Sequence, residues 1–154
     1  MAELFVIEKT IEIDAPAEVV WEVLTDLPRY GEWNPFQVSI NSTLKPGEAI
    51  DMQVALMAKP QRQIEWMNEY VEGKRFAYNM KPMPGGALSS LRSHDVTQLP
   101  GNRTRYRSYF HLKGWFKPVV LALFRKNLER GFAGMTAGLQ KQAEQLWSQR
   151  QTRH

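Results

Sequence analysis

The chain has 154 residues, 43% hydrophobic and 23% charged, with a formal net charge of +4. That is the size and composition of one domain able to bury a sizeable core, and a single domain over residues 1–154 is expected. It has no cysteine, which excludes disulfides, thiolate catalysis, Cys-ligated zinc and iron–sulfur clusters.

The positive excess is small and mostly spread out, with a cluster at Arg150 and Arg153. There is no basic stripe or nucleic-acid motif, so no nucleic-acid partner is expected. The first residues hold neither a basic start nor a long apolar run, so no secretory signal is expected. The longest apolar run, Val119 to Phe124, is too short to cross a bilayer. The expectation is a cytoplasmic protein without integral membrane association.

Val6 to Ile13 alternates, with Ile7, Ile11 and Ile13 on one face and Glu8, Thr10 and Glu12 on the other, the pattern of a half-buried strand. Asp14-Ala15-Pro16-Ala17-Glu18 reads as a helix start. Asp14 or Ala15 stands at the cap, Pro16 in the first turn, and Glu18 near the positive end of the dipole. Val20, Val23, Leu24 and Leu27 form its apolar stripe, with Trp21 at the edge. Pro28 breaks the pattern, and Arg29 to Trp33 reads as a short second helix or turn.

Antiparallel strands follow. Phe36, Val38 and Ile40 alternate with polar residues, as do Ile50, Met52, Val54 and Leu56. Ile64, Trp66, Asn68 and Tyr70 share a face, then Phe76, Tyr78 and Met80. Leu88 to Leu99 and Thr104 to Leu112 are joined by Pro100-Gly101-Asn102, a hairpin signal. A long helix from Pro118 to about Trp147 carries Leu121, Phe124, Leu128, Phe132, Met135, Leu139 and Leu146 on one face. Gly131, Gly134 and Gly138 flank that face. Each costs about 1 kcal/mol of helix propensity relative to alanine. Close helix–sheet packing and room for a ligand both explain them, and the large residues on the sheet favour room for a ligand.

Strands grouped apart from helices indicate α+β: a curved antiparallel sheet of about seven strands around the long C-terminal helix, with two short helices after the first strand. The stretch IEIDAPAEVVWEVLTDLPRYGEWNPF (11–36) resembles the opening of the START-like (SRPBCC) superfamily, in its polyketide cyclase/dehydrase-like branch. GNRTRYRSYFHLKGWFKPVV (101–120) resembles its last strand, and LERGFAGMTAGLQKQAE (128–144) its C-terminal helix. The resemblance implies a helix-grip fold with a deep, mostly apolar cavity. Members bind sterols, phospholipids, hormones, polyketides or aromatic compounds; some are cyclases, aromatases or dehydratases, and many are carriers. Such a fold does not decide among these activities.

The expected cavity lining is Trp33, Phe36, Met52, Val54, Trp66, Asn68, Tyr70, Tyr78, Tyr106, Phe110, Gly131 and Met135, with Tyr30 and Trp33 at the lip. Arg92, His94 and Val96 share one strand face. Arg92 and His94 then either hold an anionic or carbonyl group at the cavity mouth or stand on the rim facing water. His94, Asp95, Tyr70, Tyr78 and Tyr106 complete the acid–base candidates. Cyclase-type relatives use an arginine on a middle strand, whereas the corresponding IEWMNEYVE (64–72) has none, a departure that counts against a cyclase. Ser93 and His94 are adjacent and so point to opposite faces, against a nucleophilic dyad.

No metal is expected, because His94, His111 and His154 have no ligand spacing. Arg103, Arg105 and Arg107 read as a solvated outer face, or as an attraction for an acidic partner or membrane. The favoured function is binding or transport of a small hydrophobic, aromatic or lipid-like ligand without a cofactor. The alternatives are a cyclase/dehydratase-like enzyme, in which Tyr70, Arg92 or His94 polarises a carbonyl, and a protein-interaction module.

Overall fold

A computed structural model describes residues 4–152, so Arg153 and His154 lie outside the described residues. Strand β1 (Phe5–Ile13) leads into helix α1 (Ala17–Thr25) and a 3-10 turn at Leu27–Glu32. Then come β2 (Gln37–Ser42), β3 (Ala49–Val54), β4 (Gln61–Val71), β5 (Arg75–Met80), β6 (Ser89–Leu99) and β7 (Arg103–Lys113). Helix α2 (Lys117–Thr152) ends the chain's described part. Among the described residues the seven strands form one antiparallel sheet in the order β1-β7-β6-β5-β4-β3-β2. This is the expected α+β helix-grip arrangement.

Alternation holds where it is unambiguous. Ile50, Met52 and Val54 of β3 are buried, as are Phe76 and Tyr78 of β5. The start of α1 differs from expectation: its first residue is Ala17, and no side chain caps it from Pro16. The Ala17 N–H is instead satisfied from β6, by Gln98 Oε1 at 2.8 Å. Asp14 accepts from Arg103 Nε at 2.8 Å. The triplet on β7 is thus partly answered by the chain's own acids, since Arg107 bonds Glu8 and Asp95.

Strand β4 is the main correction. Its register pairs Ile50 with Glu65 and Met67 with Tyr78. Residues directly opposite share a face, so Glu65 and Met67 point inward and are buried. Trp66 is 41% exposed, and Asn68 is exposed on the same outer side. A register shift between Met67 and Glu69 restores Tyr70 to the inner side, where its ring lies 5.7 Å from Trp21.

The three glycines of α2 are explained by packing. The segment Trp33–Phe36 crosses the helix where their side chains would stand. A Cβ on Gly131 would lie 2.7 Å from Phe36 Cγ, and one on Gly134 3.0 Å from Pro35 Cγ. At Gly138 it would overlap the Trp33 carbonyl, which is backbone. The preference for a ligand between the glycines and the sheet is therefore overturned: protein fills that space. Gly138→Ala should cost about 2 kcal/mol of stability in urea unfolding, strain exceeding the gain in helix propensity. Gly134→Ala should be close to neutral, and a stabilised Gly138→Ala would contradict the tight fit.

Candidate functional site

Between the sheet and the first half of α2 lies a cavity of about 240 Å³. Phe36, Met52, Val54, Leu112, Phe124 and Leu128 give it an apolar wall, with Phe110 and Phe132 beside them. Polar groups converge in it from four strands: Gln37, Gln63 and Glu65, Tyr78, and Ser90 and Arg92. An apolar lining with a few placed polar groups is the usual form of a small-ligand site. Two outer clefts have larger volumes, about 360 Å³ beside β1 and about 460 Å³ beside Gly131. The buried polar atoms without a partner belong to neither of them.

Arg92 is 2% exposed. Its position on β6, opposite Tyr78 of β5 and Phe110 of β7, places it on the inner face and settles the choice between cavity and solvent. Its Nη1 donates to Ser108 Oγ at 2.6 Å and to the carbonyls of Ser93 and Tyr109 at 3.3 Å. Its Nη2 reaches Met135 Sδ at 3.3 Å. The guanidinium carbon lies 4.7 Å from the centre of the Phe132 ring. All these partners are neutral. Among the described residues Arg92 forms no ion pair with a carboxylate, and its Nε–H has no acceptor.

Glu65 is the second charged group, and the sequence reading missed it. It is 8% exposed and receives one hydrogen bond, from Gln63 Nε2 at 2.5 Å. Burial pushes its carboxyl up to about 7, against the pull of the Gln63 bond and of Arg92. Tyr78, also buried, is pushed up to about 12, and its hydroxyl accepts from Gln37 Nε2 at 2.7 Å. Gln37 is the other unforeseen member; a register shift in β2 just after it and the turn closed by Asn34 bring it inside.

His94 lies behind this wall rather than on it. Its Nδ1 and the Tyr106 hydroxyl are 2.6 Å apart, and its Nε2 has no partner. Burial, then Arg92 and Arg75, hold the imidazole well below its ordinary value, which favours its neutral form, and the side chain is not among those that line the cavity. Asp95 pairs with Arg75 on the outer side.

Of the expected residues, Phe36, Met52, Val54, Tyr78, Arg92 and Phe110 line the cavity. Tyr106, Met135 and Tyr30 are fully buried beside it, and Tyr30 donates its hydroxyl to the Leu24 carbonyl at 2.5 Å. Trp33 is not at the lip: its ring packs on Tyr30 at 4.8 Å, and its other side meets a shallow cleft between α1 and α2. Trp66 and Asn68 face outward, Tyr70 sits at the α1 end of β4, and Gly131 borders an outer cleft.

Similar architectures occur in solved structures. The Zhui aromatase/cyclase from Streptomyces sp. R1128 superimposes with a TM-score of 0.71 at 18% identity, covering 92% of this chain and 94% of that one. A START superfamily protein from Mycobacterium smegmatis gives 0.71 at 15% identity, covering 92% and 98%. Truncated norcoclaurine synthase from Thalictrum flavum gives 0.67 at 15%, covering 91% and 93%. At these identities the likeness is one of fold. No curated protein matches the chain by sequence. A family profile does, over residues 5–144, which span every strand, α1 and most of α2; the chain belongs to the START-like family described as polyketide cyclase/dehydrase and lipid transport.

Proposed function

We propose that the cavity binds a small, mostly apolar ligand bearing a carboxylate or carbonyl oxygen, and that Arg92 holds that oxygen. One observation carries this: a fully buried guanidinium in an apolar cavity, with neutral partners only and one N–H unused. Burying a charge without a counter-charge is costly, and an acceptor brought by a ligand offsets that cost. An apolar cavity of about 150 Å³ holds benzene, so about 240 Å³ suits a substituted ring or two fused rings. The family's description and its aromatase/cyclase and START neighbours support the same ligand class.

Glu65 favours a second reading. A carboxyl poised near 7 in the cavity that holds Arg92 suits proton transfer to or from a ligand whose carbonyl Arg92 polarises. This would make the chain an enzyme of the cyclase/dehydratase kind, with Glu65 rather than His94 as the acid–base group.

Two measurements test these readings. Calorimetry with naphthoate and with naphthalene should show that Arg92→Met weakens naphthoate about tenfold or more while leaving naphthalene within about twofold, because only naphthoate loses a charge-assisted hydrogen bond. Equal losses for both would contradict the role of Arg92. For Glu65, the folded-state value lies above its ordinary 4.5, so folding takes up a proton between the two. Stability should fall as pH rises from 4.5 to about 7, by about 3 kcal/mol in all. His94 acts in the opposite sense, lowering stability as pH falls through its ordinary 6.5. The readout is therefore the difference between wild type and Glu65→Gln, which should carry the Glu65 slope alone. A flat difference would remove the acid–base reading.

A further inference from the structure

Glu65 is the charged group of the cavity to which ligand binding by Arg92 gives no task. It stands on β4, Arg92 stands on β6, and β5 with Tyr78 runs between them. The carboxyl and the guanidinium line one cavity, yet among the described residues they form no ion pair with each other. Glu65 Oε2 takes one hydrogen bond, from Gln63 Nε2, and Oε1 takes none among the described residues.

The other groups around Glu65 do not balance its charge. Strands β2, β3 and β7 and helix α2 contribute no ionisable side chain to the cavity lining. On β5 the Tyr78 phenol, pushed up to about 12 by burial, is neutral near pH 7. Behind β6, burial holds the His94 imidazole well below its ordinary value, which favours its neutral form. Arg92 is thus the one cation in the lining. A ligand carboxylate that enters while Glu65 is ionised leaves one cation to serve two anions. Carboxylates sharing a small desolvated space do not both stay ionised; one of them takes up a proton. The ligand has the guanidinium beside it, whereas Glu65 has only a glutamine amide. Glu65 is therefore the group that accepts the proton. Burial already pushes its carboxyl up to about 7, so the uptake falls near neutral pH.

We propose that the cavity takes up an anionic carboxylate ligand together with one proton, which Glu65 holds, so that the ligand is bound below neutral pH and released as the solution turns alkaline. The proton comes from solvent and rests on a Glu65 oxygen, and no bond of the ligand forms or breaks. The protonated carboxyl also becomes a donor, where the ionised one only accepts. This inference rests on the proposed role of Arg92 and adds the regulation of that site. The sign follows from linkage: a bound anion raises the Glu65 value above that of the free protein, so affinity is full below the free value and falls as pH rises through it.

Titration calorimetry with 2-naphthoate at about pH 6 and about pH 8.5, where a carboxylic acid ionising near pH 4 is an anion throughout, tests the proposal. Buffers of low and high ionisation enthalpy read the protons taken up. Wild type should bind naphthoate about tenfold more weakly at the higher pH, taking up about one proton per ligand there. Naphthalene should bind equally at the two values, within about twofold, because it brings no charge. Glu65→Gln should bind naphthoate equally at both, take up no proton, and exceed wild type at the higher pH. The proposal is overturned if wild type shows one naphthoate affinity at both values without proton uptake, if naphthalene weakens in parallel, or if Glu65→Gln keeps the pH dependence. Should Arg92→Met bind naphthoate as tightly as wild type, the ligand reading fails and this inference falls with it; a pH-independent affinity that still needs Arg92 removes this inference alone.

Discussion

The segment Trp33–Phe36 lies against α2 at three places where the helix has no side chain, by the Phe36 ring at Gly131, the Pro35 ring at Gly134 and the Trp33 carbonyl at Gly138, and much of the cavity's geometry follows from that contact. It sets the distance between the helix and the β2 end of the sheet. It turns the Phe36 ring against Phe132, 5.0 Å away, so that both stand in the cavity wall. Asn34 holds the segment in shape by accepting the N–H groups of Phe36 and Gln37 at 3.0 and 2.8 Å. Pro35 keeps Asn34 extended. Gln37 then emerges inside the sheet, within reach of Tyr78.

Against this apolar frame the interior polar groups stand out. Thr104 and Thr136 are satisfied within the fold by the carbonyls of Ala15 and Phe132. Gln37, Arg92 and His94 each keep an unused atom, as do Asn34 and Ser93. Unsatisfied buried polar atoms are few in native proteins and each calls for a reason. The proposed ligand oxygen would supply one for Arg92, the group whose burial is most costly. The neutral His94–Tyr106 pair is better understood as support for that wall than as a proton carrier.

Much of the fold was legible because its strands carry one clear alternation. Ile50-Met52-Val54 and Phe76-Tyr78 could face only one way, whereas Val96 beside Arg92 and His94 pointed inward but left open whether those two met the cavity or water. Strand β4 misled because it carries large residues on both faces. Ile64 and Trp66 form the more conspicuous series, yet pairing of Glu65 with Ile50 turns the carboxylate inward. Local pattern contains no information about that register, and a register shift near Asn68 removes even the parity between Trp66 and Tyr70. The glycines were noticed for a sound reason, their cost in a helix, but choosing between packing and ligand space required knowing where Trp33–Phe36 runs. Tyr30 and Trp33 were placed at the lip by analogy with the fold's cavity, whereas their ring–ring contact and the Tyr30 bond to Leu24 make them core.

The central claim is that Phe36 and Gly131 are made for each other, and a double-mutant cycle measures it. Gly131→Ala alone should destabilise the protein, because the new methyl meets the Phe36 ring. In a Phe36→Ala background the same change should become neutral or stabilising, as the alanine recovers about 1 kcal/mol of helix propensity. Additivity of the two changes within about 0.5 kcal/mol would contradict the account.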